Sequence, residues 1–207
     1  MRHFLLLVGL IIGLLAAVQL SRAAAGWRFI VPDAAGVLLY ATGFDAASDE
    51  WDEADDGRRL AQVRDGVLHL ALDDASDSVY APLRWSLHDF DLTVDATAVD
   101  GSENNGFGVI FRQQDARNYY YFLISSDGYY QLSRVVNDTA RKMSNWIPSD
   151  AIQTGLDETN QIRIVARGNQ FEFFVNGEAL ALCIPDSPDA ESTYDEFVGE
   201  CIGGQML

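Results

Sequence analysis

The sequence predicts an all-β fold, an antiparallel β-sandwich, on three observations. Beyond residue 25 no long stretch repeats its apolar residues with a helical period. Short runs rich in Val, Ile, Tyr, Phe and Thr recur instead, about eleven of them, as half-buried strands would. Gly, Asn and Asp separate these runs at hairpin spacing, and 207 residues are enough for a filled core.

Residues 1–25 stand apart. Arg2 and His3 give a basic start, Phe4–Leu20 carries no charge, and Ala23-Ala24-Ala25 fits a small-residue cleavage site. This is the pattern of a secretory signal. An uncleaved signal-anchor helix is the alternative, since an apolar run of about 17 residues approaches a bilayer span. Residues 26–36 form a linker with Pro32, and residues 37–207 form the β-sandwich.

Val37–Phe44 reads as the first strand. Asp45–Gly57 is acidic around Trp51 and reads as a solvated loop held by that ring. Its acids suit calcium but miss the EF-hand spacing: Ala54 and Val63 stand where ligands should be. Arg59–Arg64 and Val67–Leu72 form a hairpin through Asp65-Gly66. Ser78–Leu83 is a further short strand. Phe90–Val99 alternates, with Leu92, Val94, Ala96 and Ala98 on the buried side.

Asn105–Val136 is the densest aromatic stretch. It reads as Gly106–Arg112, a turn at Gln113–Arg117, Asn118–Ser125, and a return strand from Tyr129. Ser126-Asp127-Gly128 is a three-residue loop that pairs Ser125 with Tyr129. Tyr120, Phe122, Ile124, Tyr130 and Leu132 then form the core face. Tyr119, Tyr121, Leu123, Tyr129, Gln131 and Ser133 form the other face, where rings mix with amide and hydroxyl groups. Asn137–Pro148, with Lys142, Met143 and Trp146, crosses over. Asn160–Leu182 is a meander turning at Gly168-Asn169 and Asn176-Gly177. That register matches Ile162 with Val175, Ile164 with Phe173, and Phe173 with Leu180, all apolar.

The net charge is −17, and no acid lies in residues 1–25. Such a chain repels nucleic acid and anionic lipid heads. A membrane is a partner only through residues 1–25, if these stay uncleaved. Cys183 and Cys201 flank a polar loop, and after export they are expected to pair as a disulfide. His69 and His88 are isolated, which leaves little material for a metal site or a Ser-His-Asp triad. No metal ligands and no cofactor are assigned, and a calcium requirement is left open.

The order of these pieces resembles a known family. The motifs are Val63-Arg64-Asp65-Gly66-Val67-Leu68, Gly106–Arg112, Asn118-Tyr119-Tyr120 with Phe122, Asp127-Gly128-Tyr129-Tyr130 and Val175-Asn176-Gly177. They are similar to the concanavalin A-like lectin/glucanase jelly rolls, in particular the LamG-like, exported bacterial 3-keto-disaccharide hydrolase or DUF1080 type. The likeness runs from about Val37 to Leu182. It implies a jelly-roll sandwich and a glycan or polysaccharide partner. Such domains usually continue with a further turn and a closing strand, so the final strand is expected to be missing here. The glucanase Glu-x-Asp-x-(x)-Glu strand is absent too: Asp89, Asp91 and Asp95 come closest and read as a solvated face.

The expected function is therefore an exported, non-catalytic carbohydrate-binding domain, outside the cell or on its surface. Tyr119, Tyr121, Tyr129 and Trp146 would stack on sugar rings. Gln131, Ser133 and Arg112 would supply hydrogen bonds, unless Arg112 pairs locally with Asp115. No catalytic residue is assigned. The alternatives are a glycoside-cleaving enzyme, as the resemblance implies, and a membrane-tethered structural or sensor module with a protein partner.

Overall fold

A computed structural model describes residues 36–45, 49–74 and 77–184 in full, and the backbone of 28–29, 193–195 and 200–202. The signal segment 1–25, most of the linker 26–36 and the side chain of Cys201 lie outside the described residues. The described residues are all-β, and apart from one two-residue parallel pairing the sheets are antiparallel, as a jelly-roll sandwich requires. The chain divides into two compact units, Met1–Leu87 and His88–Leu207.

The first unit contains β1 (Arg28–Phe29), β2 (Ala54–Asp55), β3 (Arg59–Arg64), β4 (Val67–Leu72) and β5 (Trp85–Ser86). Strands β2, β3 and β4 form one antiparallel sheet, while the two-residue β1 runs parallel to β5. The β3–β4 hairpin has the expected register, Val63 opposite Leu68 and Ala61 opposite Leu70. Asp65 and Gly66 both take positive φ, which a two-residue turn of this hand requires. Trp51 holds the acidic stretch, as expected: its indole N–H donates to the Tyr40 hydroxyl at 2.9 Å, and its backbone bridges to Leu83. The stretch is not all loop, however, since Ala54–Asp55 pairs with β3.

Two expected strands of this unit are absent. Val37–Phe44 has no ladder, and Val37 and Leu38 are exposed. The Phe44 N–H donates instead to the Thr42 hydroxyl, a local bond that competes with strand pairing. Ser78–Leu83 is irregular apart from the bridge at Leu83. Pro82 within it has no N–H to give, and its carbonyl accepts from the Asp52 N–H.

The second unit is the sandwich. Its strands are β6 (Phe90–Thr97), β7 (Gly106–Asp115), β8 (Asn118–Ser125), β9 (Tyr129–Val136), β10 (Thr139–Lys142), β11 (Ile147–Pro148), β12 (Thr159–Arg167), β13 (Gln170–Val175) and β14 (Glu178–Leu180). A short hairpin, β15 (Thr193–Asp195) and β16 (Glu200–Ile202), follows. One sheet runs β10-β9-β8-β7, with β11 also on β9; the other runs β14-β13-β12-β6. Strand β6 thus joins strands that follow it by some sixty residues (Thr97 opposite Thr159), which is the jelly-roll exchange between sheets.

The core lies between these sheets. Phe122, Ile124, Tyr130 and Leu132 from one meet Ile162, Ile164, Phe173 and Val175 from the other. Phe122 stacks on Phe173 at 4.7 Å between ring centroids. The expected alternation of β6 and the expected meander pairs are present, including Ile162–Val175 and Phe173–Leu180. Asn137–Pro148 is not a plain crossover. Asn137 and Asp138 take positive φ and make a tight turn, and β10 returns along β9.

Candidate functional site

Alternation puts Tyr119, Tyr121, Leu123, Tyr129, Gln131 and Ser133 on the outer face of the β7–β10 sheet. Tyr120 confirms the sense, since its ring stacks on Phe111 in the core at 5.6 Å. Tyr119 and Tyr121 lie side by side, their ring centroids 6.3 Å apart. Tyr121 pairs with Ser133, and Leu123 with Gln131. Ser125 stands opposite Tyr129 across the expected loop, and the Gly128 N–H donates to Ser125 O at 3.0 Å.

Trp146 joins this face through a bulge. Lys142 pairs with Ser133 and Ile147 with Tyr130, so five steps of one strand match three of the other. The extra residues are anchored on Leu132: its carbonyl accepts from the N–H groups of Met143 and Ser144, and its N–H donates to Ser144 Oγ at 3.0 Å. Continued back by one residue, the β9–β11 register sets Trp146 beside Gln131. The indole then reaches across the sheet: a Cβ on Gly106 would stand 3.1 Å from Trp146 Cη2 and 3.0 Å from Leu123 Cδ1. Glycine at 106 makes room for the ring, and Trp146 remains 37% exposed.

Polar groups of this face sit lower than the sequence suggests. Gln131 is 4% exposed and Ser133 is fully buried. Ser133 Oγ lies 3.4 Å from Gln131 Oε1, and Gln131 Nε2 has no partner among the described residues. The aromatic rings are the accessible part, with Tyr129 and Trp146 the most exposed of them.

Arg112 does not belong to this face. Strict alternation would place it there, beside Tyr119. Between Phe111 and Asp115, however, β7 takes four steps against two of β8, and Arg112 adopts φ 52°. That left-handed residue swings the side chain to the rim of the sandwich. Its Nη2 donates to Gly168 O at 2.8 Å and lies 3.4 Å from Asp89. The local Arg112–Asp115 pair is not formed either: Asp115 accepts from the Arg117 N–H and the Asn118 amide.

Asp91 on β6 and Asp89 just before it are solvated, as expected, and each is also paired. Arg163 donates two bonds to Asp91, at 2.8 and 2.7 Å, and holds its carboxyl below the usual range. The Gly168 N–H and then His88 do the same for Asp89. A general acid would need the opposite shift. Buried Tyr130 is pushed up to about 12 by desolvation and donates to Ala181 O. Among the described residues no group of three or more His, Cys, Asp or Glu could hold a metal ion.

Sequence reasoning missed Gly106 and Ser144, which seat Trp146. A glycine on the aromatic face of a strand, opposite Ser125, was the signal for the first. Nothing in the sequence marked the second.

No curated protein matches the chain. Among solved structures, the carbohydrate-binding module CBM66 from Bacillus subtilis is similar, with 17% identity and a TM-score of 0.40 over 56% of this chain. The likeness spans 63% of that module's length. The family match is broader: residues 40–199 fit the 3-keto-alpha-glucoside-1,2-lyase-like domain, and the chain belongs to that family.

Proposed function

We propose that this chain is a non-catalytic carbohydrate-binding domain, and that the outer face of the β7–β10 sheet is its binding surface. The observation that carries the reading is the seating of Trp146 on Gly106 and Leu123. It gives a half-exposed aromatic plane on a sheet that also presents Tyr119, Tyr121 and Tyr129. Flat rings suit the apolar faces of sugars, and a mixed aromatic and polar face is the usual make-up of a binding site. Gln131 and Ser133 lie beneath these rings and supply the polar part.

The family's name favours a second reading, elimination from a 3-keto-α-glucoside. That reaction needs a base to take the proton next to the ketone. Tyr119, Tyr121, Leu123, Tyr129, Gln131 and Ser133 include no carboxylate or imidazole, but the tyrosines and Lys142 are candidate bases, so turnover of such a substrate has to be tested directly.

Export is part of the proposal and rests on residues 1–25 alone. An uncleaved segment would tether the domain to a membrane and favour the sensor reading. Cys183 is buried, and its pairing with Cys201 would suit an oxidising compartment. Alkylation of the unreduced, unfolded chain tests that pairing: two labelled thiols would refute it.

The test of function is depletion of the folded protein from solution by a panel of polysaccharides, with and without EDTA. Retention on one glycan class, lost in Trp146→Ala with the fold intact, is the expected result. EDTA sensitivity would add calcium to the site. A folded protein that no glycan retains, but that turns over a 3-keto-α-glucoside, would establish the lyase instead.

A further inference from the structure

Gln131 is a polar side chain that the fold itself does not use. Its Nε2 is shut off from solvent and has no hydrogen-bond partner among the described residues, an unusual state for a buried amide. Among the described residues its carbonyl oxygen has the long contact from Ser133 and no other. Other buried amides of this unit are well used: Asn160 Oδ1 accepts from the Gln153 N–H and from Asn176 Nδ2, both at 2.8 Å.

The surroundings of Gln131 indicate what would satisfy it. It pairs with Leu123, and Leu123 pairs with Gly108. The indole of Trp146 starts beside Gln131 and reaches Gly106 past Leu123. The amide thus lies beside the start of an aromatic side chain, and the far end of that ring rests two strands away on Gly106, which has no side chain to hold it there. On the same face Lys142, opposite Ser133, is exposed at the edge strand, so among the described residues of this face no cation is buried with the amide.

We infer that Gln131 is the specificity-determining donor of a subsite for one uncharged sugar ring, reached when the Trp146 indole shifts from its seat on Gly106. The inference rests on the carbohydrate-binding reading. The displaced indole stacks on the ring, and Gln131 Nε2 donates to one hydroxyl oxygen. A uronate is disfavoured, because its carboxylate would lose water without gaining a buried cation.

The test is titration of the full chain, followed by tryptophan fluorescence. The probes are methyl glycosides of glucose, galactose, mannose and fructose, methyl glucuronide, and the monodeoxy analogues of whichever neutral glycoside binds. The expected result is binding of a neutral glycoside, with one deoxy position weakening it about tenfold, as loss of a single hydrogen bond does. Gln131→Leu should weaken the parent glycoside as much, bind that deoxy analogue no worse than the unaltered protein does, and keep or raise Tm. If Trp146→Ala abolishes binding but no deoxy analogue and no Gln131 variant affects it, the subsite is wrong and the carbohydrate-binding surface stands. Binding of the glucuronide alone would also overturn it. If no glycoside binds, the subsite falls, and retention on polysaccharide decides the carbohydrate-binding reading separately. The deoxy series on the unaltered chain decides the matter even if Gln131→Leu does not fold.

Discussion

Arg112 and Gly168 lie 56 residues apart and are joined by a 2.8 Å hydrogen bond from guanidinium to carbonyl. The bond ties the bulge of β7, in one sheet, to the β12–β13 turn of the other. Asp89 completes the tie by accepting from the Gly168 N–H at 2.9 Å. Arg112 holds a left-handed backbone that costs a non-glycine residue about 1 kcal/mol, and this network offsets it. Arg112→Ala should therefore lower stability by about 1–2 kcal/mol, since a charged donor is lost. Urea unfolding measures the loss. Glycan retention should not change, because the side chain points away from the aromatic face.

Gly106→Ala is the reverse case. The new methyl would press on Trp146 Cη2 at 3.1 Å and on Leu123 Cδ1 at 3.0 Å. The indole has to shift by a few tenths of an ångström. We expect a changed tryptophan emission spectrum and glycan retention that holds or strengthens, because the ring no longer has to leave its seat, while the urea midpoint moves little. Unchanged emission would show that the ring does not rest on Gly106.

Asn160 is 1% exposed and closes a ring of bonds at the start of β12, beside the β13–β14 turn. Its Nδ2 donates to Gln153 O at 2.9 Å, and its Oδ1 accepts from Gln153 and Asn176. Asn176 in turn donates to Ala151 O at 2.8 Å. Asn160→Leu strands several buried groups together and should cost about 2–4 kcal/mol. Surface Asn169→Ala, in the turn at the far end of β12, should cost much less in the same unfolding series.

Acid should weaken the fold in a defined window. Asp91 and Asp89 both titrate below their ordinary value of 3.8 when folded, through Arg163 and the Gly168 N–H respectively. Their contribution is complete above the unfolded value, near 3.9, and is lost as pH falls through the lower folded values. Urea midpoints should be flat from about pH 7 to 5 on these groups and fall below about pH 4. Asp91→Asn should start lower at neutral pH and fall less steeply.

Tyr130 sets the alkaline limb. Its folded value, about 12, exceeds the ordinary 10.0. Its contribution is therefore complete below pH 10 and is lost as pH rises through about 12. Tyr130→Phe should flatten the fall in stability above pH 10, as measured by near-ultraviolet dichroism against pH.

What was legible in the chain was what side-chain alternation and turn chemistry dictate. The β8–β9 register follows from Ser126-Asp127-Gly128, and the β12–β13 register from matched apolar pairs, so both could be read without coordinates. Arg112 could not be placed, because alternation assumes a regular ladder and a bulge reverses it. Gln131 and Ser133 are polar and were expected at the surface. They are buried because the residues around Trp146 fold back over the sheet, and no local property of Gln131 announces that. Val37–Phe44 looked apolar enough for a strand, but the bond from Phe44 to the Thr42 hydroxyl diverts the backbone.

The outer row of the second sheet has a consequence for how this molecule would gather on a polymer. There Asp91 grips Arg163, which lies over the Phe174 ring at 5.0 Å, and Gln161 donates to Asp95. That side is charged and already matched with itself, whereas the opposite side of the sandwich is aromatic. If the aromatic side binds glycan as proposed, this sandwich has one adhesive side among its described residues, so by itself it would coat a filament and leave neighbouring filaments unlinked.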